Sequence, residues 1–311
     1  VREAPLRLAT RASALARAQA EQVAARLRVE LGRQIDLVEV VSEGDRSRAS
    51  LTEIGGQGVF VGAVRDAVVA GRADLAVHSL KDLPTLSDDR VVLAAVPQRE
   101  DPRDALVARD GLTLGGLPAG STVGTGSFRR VAQVRALGLG LTLVDIRGNV
   151  GTRIRKVAEG KLDAVVLARA GLLRLHRESE VTEILDPIQM LPAPGQGALA
   201  VEVAADRLDL ADELRKLLDC SSARSAVTAE RAVLRGLDAG CTAPIGALAD
   251  VVDGDDGPEL WLRAIVAAPD GTWSLRLSAT GSPDDPDDLG SRLAKQLLAE
   301  GAGDLLAELP Q

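Results

Sequence analysis

Ser121-Thr122-Val123-Gly124-Thr125-Gly126-Ser127-Phe128-Arg129-Arg130 and Leu141-Thr142-Leu143-Val144-Asp145-Ile146-Arg147-Gly148-Asn149-Val150-Gly151-Thr152-Arg153 share one design. Each runs from a short apolar strand through a glycine turn into the start of a helix. That arrangement aims backbone N–H groups and the positive end of a helix dipole at one point, which suits an anion. Arginines held in such turns add planar forks that match a carboxylate or phosphate two oxygens at a time. Residues 121–177 carry eleven Lys and Arg against three acids, inside a chain whose net charge is −8. A basic cluster in an acidic protein implies a focused anion site, not a polyanion-binding surface. Arg155, Lys156 and Arg177 also fit a plain solvated face of a helix.

Outward from this stretch the same pattern recurs. LRLATRAS (6–13) parallels STVGTGSF (121–128), and DLVEVVSEGDR (36–46) parallels TLVDIRGNVGTR (142–153). GRADLAVHS (71–79) parallels GKLDAVVLA (160–168), sharing Gly, a base, Asp and then a β-branched run. Strand–helix alternation at this spacing predicts parallel βαβ sheets, and the repeat predicts two similar α/β lobes facing one cleft. Ligands of such sheets bind beyond the carboxyl ends of the strands. Thr10-Arg11, Ser79 to Asp82, Thr125 to Arg130 and Arg147 all fall at such ends. The expected lobes are 1–98 with 199–218, and 103–192. The joints are REDPR (99–103) and the Pro/Gly run LPAPGQG (191–197). From 221 to 311 the pattern changes to a smaller α+β domain with acidic turns that lack calcium-loop spacing. Segment 43–58 is polar, Gly-rich and without period, and reads as a mobile loop, a lid in form.

The 311 residues are 46% hydrophobic and 26% charged, ordinary for a soluble globular chain, and hold two Phe, two Trp and no Tyr. Scarce aromatics and an acidic balance argue against nucleic-acid binding. No apolar run is long enough to span a membrane, and the first residues have no signal-peptide pattern, so a cytoplasmic location is expected. Two cysteines and two histidines supply neither a disulfide framework nor an obvious metal site.

Lys81 and Asp82 follow a strand that should be buried. They either shape the turn before Pro84 or place a carboxylate in a cationic cleft, where it handles protons and steadies a developing cation. Cys241, in the loop Gly240-Cys241-Thr242-Ala243-Pro244, is either a small buried apolar group or a thiolate attachment point. Cys220 reads as structural. His78 reads as a hydrogen-bonding residue near a strand end, and Ser79 beside it makes no triad, because neighbours on a strand face opposite sides.

ATRASALA, GGQGVF, DLAVHSLKDLP, REDPRDA, VGTGSFRR, DIRGNVGTR, LARAGLLRL, LPAPGQGA, VTAERAVL and GCTAPIGA occur in this order over nearly the whole chain. Together they resemble the porphobilinogen deaminase (hydroxymethylbilane synthase) family. The resemblance implies two lobes like those of periplasmic binding proteins plus a third domain, acting as a monomer. It implies head-to-tail condensation of four porphobilinogens into hydroxymethylbilane with loss of ammonia, primed on a dipyrromethane joined by a thioether to Cys241. It further implies that Asp82 is catalytic. Lys81, Asp82, Thr125, Ser127, Arg129, Arg130 and Arg147 would hold the cofactor. Arg11, Ser13, Phe60, Arg147, Arg153, Arg174 and Gln196 would hold substrate, and no metal is called for. The segment before and after Phe60 carries Glu53, Gln57 and Gly62 where lysines are usual, so it is less basic than the resemblance implies. The alternative reading is a non-enzymatic bilobal protein that captures a small carboxylate or oxyanion. A pyridoxal-phosphate enzyme using Lys81 is weaker, since Lys81-Asp82-Leu83-Pro84 supplies no cofactor pocket.

Overall fold

The computed structural model describes residues 4–41, 59–238, 243–255 and 257–307. In chain order the elements are β1 (Leu6–Arg11), α1 (Ala14–Leu31), β2 (Ile35–Val40), α2 (Val59–Val69), β3 (Leu75–Ser79), β4 (Val91–Ala95) and β5 (Asp104–Ala108). There follow β6 (Thr122–Gly124), α3 (Phe128–Ala136), β7 (Thr142–Val144), α4 (Val150–Ala158), β8 (Ala164–Ala168), α5 (Arg169–Arg174) and β9 (Glu183–Ile184). The rest are β10 (Leu199–Ala204), α6 (Leu208–Leu218), α7 (Ser221–Gly236), β11 (Ile245–Gly254), β12 (Gly257–Ala267), β13 (Ser274–Gly281), α8 (Pro286–Leu297) and α9 (Gly303–Ala307). The lid segment 43–58 and the loop holding Cys241 lie outside the described residues.

Two compact units divide the chain: 1–100 with 198–224, and 101–197 with 225–311. The first is built on a sheet of order β2-β1-β3-β10-β4. β1 pairs parallel with β2 and β3, whereas β10 runs antiparallel to β3 and β4. α1 starts where Ser13 accepts a hydrogen bond from the Ala16 amide, and stops at Gly32 in the left-handed region (φ 59°). Its Ala20, Val23, Ala24 and Leu27 line the core with Leu8, Leu75 and Val201.

The second unit repeats the plan as β7-β6-β8-β5-β9, with β6 parallel to β7 and β8, and β5 antiparallel to β8 and β9. Each sequence repeat therefore occupies the same place in its sheet. The shared aspartates do the same work: Asp74 accepts from the Arg7 amide at 2.8 Å and Asp163 from the Thr122 amide at 2.7 Å. The expectation of purely parallel sheets is corrected here. β5 and β10 begin where the chain enters each unit with no crossover helix, so nothing forces them parallel.

A second sheet of this unit, β11-β12-β13, is wholly antiparallel and buries one face under α7 and α8. A Cβ on Gly290 would stand 2.3 Å from the Ala229 carbonyl oxygen, so only glycine lets α8 approach α7 this closely. Leu191, Leu248, Ile265 and Ala132 of α3 form a small core that seats this sheet on the one before it. No described helix is long and apolar enough to cross a membrane.

Candidate active site

In the first unit the residues expected at strand ends gather around β1 and β3. Arg11 ends β1, half-buried, and Ser13 caps α1. Thr10 is buried and donates from Oγ1 to the Ala16 carbonyl at 3.0 Å. Gln19, also buried, donates from Nε2 to Ser79 Oγ at 2.8 Å, which ties the end of β3 to α1. The chain then makes a single 3-10 turn, Leu80–Asp82, with Leu80 buried, Lys81 half-buried and Asp82 exposed. A buried apolar anchor beside an exposed carboxylate leaves Asp82 open to solutes while its backbone is fixed. Phe60 lies at the start of α2, and its side chain is outside the described residues.

Beneath this turn is a buried ionic network that the sequence did not disclose. Arg65 of α2 binds both oxygens of Glu202, at 2.8 and 2.6 Å, and His78 Nε2 lies 3.3 Å from Glu202 Oε2. Burial pushes the Glu202 carboxyl up, but the two bonds from Arg65 and the nearness of His78 outweigh it and hold the pKa at about 2.

The second unit brings the two glycine turns into contact. Thr125 is buried, its amide bonds the Val144 carbonyl, and its Oγ1 accepts from the Ser127 amide. Thr125 thus shapes the turn that sets Ser127 at the start of α3. Asn149 caps α4 by accepting from the Thr152 amide at 2.9 Å, after Gly148 in the left-handed region (φ 104°). Arg147 is exposed, and Arg153 is half-buried with Nε donating to the Gly148 carbonyl. Burial lowers the pKa of Arg153, and the positive charges of Arg130 and Arg147 lower it further against the opposing pull of Asp145. Arg130 and Arg147 are thus each near enough to Arg153 to repel it. Such crowding of cations favours an added anion.

Arg129 and Arg130 are buried, at 4% and 6% exposure, around Asp104 at 0%. Arg130 donates from Nε and Nη2 to Asp104 Oδ1 at 3.2 and 2.7 Å, and from Nη1 to the Val166 carbonyl at 2.9 Å. Arg129 Nη1 is 2.8 Å from Asp104 Oδ2 and donates to the Leu191 carbonyl at 2.7 Å. Gln196 donates from Nε2 to Asp104 Oδ1 and to the Pro102 carbonyl. Burial raises the Asp104 pKa, yet the charges of Arg129 and Arg130 overcome it and leave the carboxyl well below the usual range. Arg129 Nε is buried and has no hydrogen-bond partner among the described residues. Two guanidiniums share one carboxylate there, and an unmet donor remains.

Arg174 donates from Nη2 to the Gly197 carbonyl at 2.8 Å, which joins α5 to the Pro/Gly run. Several other cations of the basic stretch are engaged by acids of the same unit: Lys161 by Glu159, Arg169 by Asp101 and Arg177 by Glu180. The surplus charge is therefore narrower than the composition of 121–177 implied. Among the described residues no group of His, Cys, Asp and Glu could hold a metal ion. Cys220 donates to or accepts from Ser222 Oγ at 3.3 Å, a local contact beside the start of α7.

Comparison with known proteins extends these observations. Residues 6–212 match the family model described as porphobilinogen deaminase, dipyromethane cofactor binding domain, and residues 225–299 match porphobilinogen deaminase, C-terminal domain. The porphobilinogen deaminase of Nocardia farcinica is 55% identical over 310 residues, covering 98% of this chain and 89% of that one. Porphobilinogen deaminase 1 of Streptomyces avermitilis is 53% identical, covering 98% of both chains. The porphobilinogen deaminase of Mycobacterium tuberculosis is 53% identical, covering 97% of this chain and 98% of that one.

Proposed function

The chain belongs to the porphobilinogen deaminase family, and we propose that it condenses four porphobilinogens head to tail into hydroxymethylbilane, releasing ammonia at each addition. It is a transferase of tetrapyrrole biosynthesis that works with a dipyrromethane cofactor. The observation that carries the reading is the buried pair Arg129 and Arg130 on the single carboxylate of Asp104, two cations against one anion. Porphobilinogen and its oligomers carry an acetate and a propionate on every ring, so each ring brings the anions such a site favours.

When bound, the dipyrromethane supplies an anchored pyrrole partner, which makes each condensation effectively intramolecular. We assign its thioether attachment to Cys241. Arg129, Arg130 and Arg147, with Lys81, Thr125 and Ser127, hold its carboxylates and the turns that carry them. Arg11, Ser13, Phe60, Arg153, Arg174 and Gln196 serve the incoming ring, in part by fixing backbone, as Gln196 and Arg174 do. Asp82 stands exposed at the end of the 3-10 turn, where a carboxylate steadies the positive charge that develops on porphobilinogen as ammonia leaves. We further read the protein as a cytoplasmic monomer.

Incubation with porphobilinogen tests the reading, with ammonia and linear tetrapyrrole measured together. Wild type should release both. Asp82→Asn should retain the cofactor while turnover falls by about 10²–10³. Capture of porphobilinogen without ammonia release would identify a binding protein and reject the enzyme.

A further inference from the structure

We propose that Asp104 is the positioning residue of the anion site, setting the directions of Arg129 and Arg130 so that one carboxylate group of a pyrrole can enter. The inference rests on the function proposed above and names the group of this chain that shapes the site. Asp104 opens β5 and is fully buried. One of its oxygens takes Arg130 and Gln196, and the other faces Arg129. The Val166 carbonyl takes Arg130 Nη1, the nitrogen Asp104 leaves open, and the Leu191 carbonyl shares Arg129 Nη1 with Asp104. The Arg130 fork is therefore fixed from two sides through all three of its nitrogens, whereas Arg129 is held through Nη1 alone. Two buried cations against one buried anion leave room for a single further negative charge.

The direction of the effect separates positioning from plain electrostatics. If Asp104 only diluted the positive charge, neutralising it would strengthen anion binding. If it positions the forks, neutralising it weakens binding although the site becomes more positive.

The test compares wild type, Asp104→Asn and Asp104→Glu as expressed. Cofactor mass on the denatured chain, KM, kcat and thermal melting are measured for each. For Asp104→Asn we expect an intact cooperative melt with a loaded fraction lower by about tenfold, or a KM higher by about tenfold with kcat little changed. Asp104→Glu, which keeps the carboxylate, should restore most of the loading. Loading and KM in Asp104→Asn within roughly twofold of wild type, or loss in Asp104→Glu equal to that in Asp104→Asn, overturns the proposal. If Asp104→Asn does not fold, nitrogen NMR of loaded wild type decides. A slowly exchanging Arg130 Nε–H supports the fixed fork, and rapid exchange overturns it. A wild type with neither cofactor mass nor turnover rejects the proposed function itself, a result distinct from any variant-specific loss.

Discussion

Gly126 stands against Ile146 so closely that a Cβ built on it would lie 2.8 Å from the Ile146 carbonyl oxygen, and 3.3 Å from Asp145 Oδ1. The first glycine turn therefore touches the second through bare backbone. This contact fixes the spacing between the start of α3, with Arg129 and Arg130, and the turn that carries Arg147.

Gly126→Ala should force these turns apart. The obstructing atom is backbone and cannot rotate away, so the expected cost is about 1–3 kcal/mol. Urea unfolding should show that loss, and the surviving folded protein should carry less cofactor. Unchanged stability together with normal loading would mean the turns separate freely.

The buried network under the 3-10 turn predicts an acid response. The Glu202 pKa is held at about 2, below its ordinary 4.5. A depressed carboxyl contributes stability that is complete above its unfolded pKa and drains away as pH falls through that window. Wild type should lose this share between pH 4.5 and about 2. Glu202→Gln leaves Arg65 with only the more distant Asp88, 3.7 Å away, as counter-charge, and should cost up to about 3 kcal/mol at neutral pH. Its remaining stability should vary less with pH in that window, which unfolding titrations at a series of pH values would measure.

Arg153 offers a trade between stability and use. Burial and the charges of Arg130 and Arg147 work against its ionised form. Arg153→Met removes that repulsion, so its melting temperature should match or exceed that of wild type. Binding of a carboxylate substrate should weaken by about tenfold or more with loss of a charge-assisted contact. A variant that melts lower and still binds normally would make Arg153 a structural residue.

What the sequence disclosed was mostly local. Strand, glycine turn and helix start are neighbours in the chain, so the turns at 124–130 and 147–153 were readable with their arginines. The repeat of GRAD and GKLD was readable too, because each aspartate serves the same amide one strand over. Asp104 was not legible, because its partners lie 26 and 92 residues away and nothing local marks it as buried. The same distance hid Arg65 and Glu202, 137 apart. β5 follows the polar joint directly and was not read as a strand, and β9, two residues long, has no period to read. Arg129 and Arg130 were expected to hold carboxylates of the cofactor. The structure first turns them inward to Asp104, which supplies the rigidity that local sequence could not show.

The central claim is that this chain builds its product on a primer fixed to Cys241. Intact mass under denaturing conditions, followed by peptide mapping, tests it most directly. The account predicts added mass equal to a dipyrromethane on the peptide holding Cys241 and none on the peptide holding Cys220. Fully active protein of unmodified mass, or the addition found on Cys220, would contradict it.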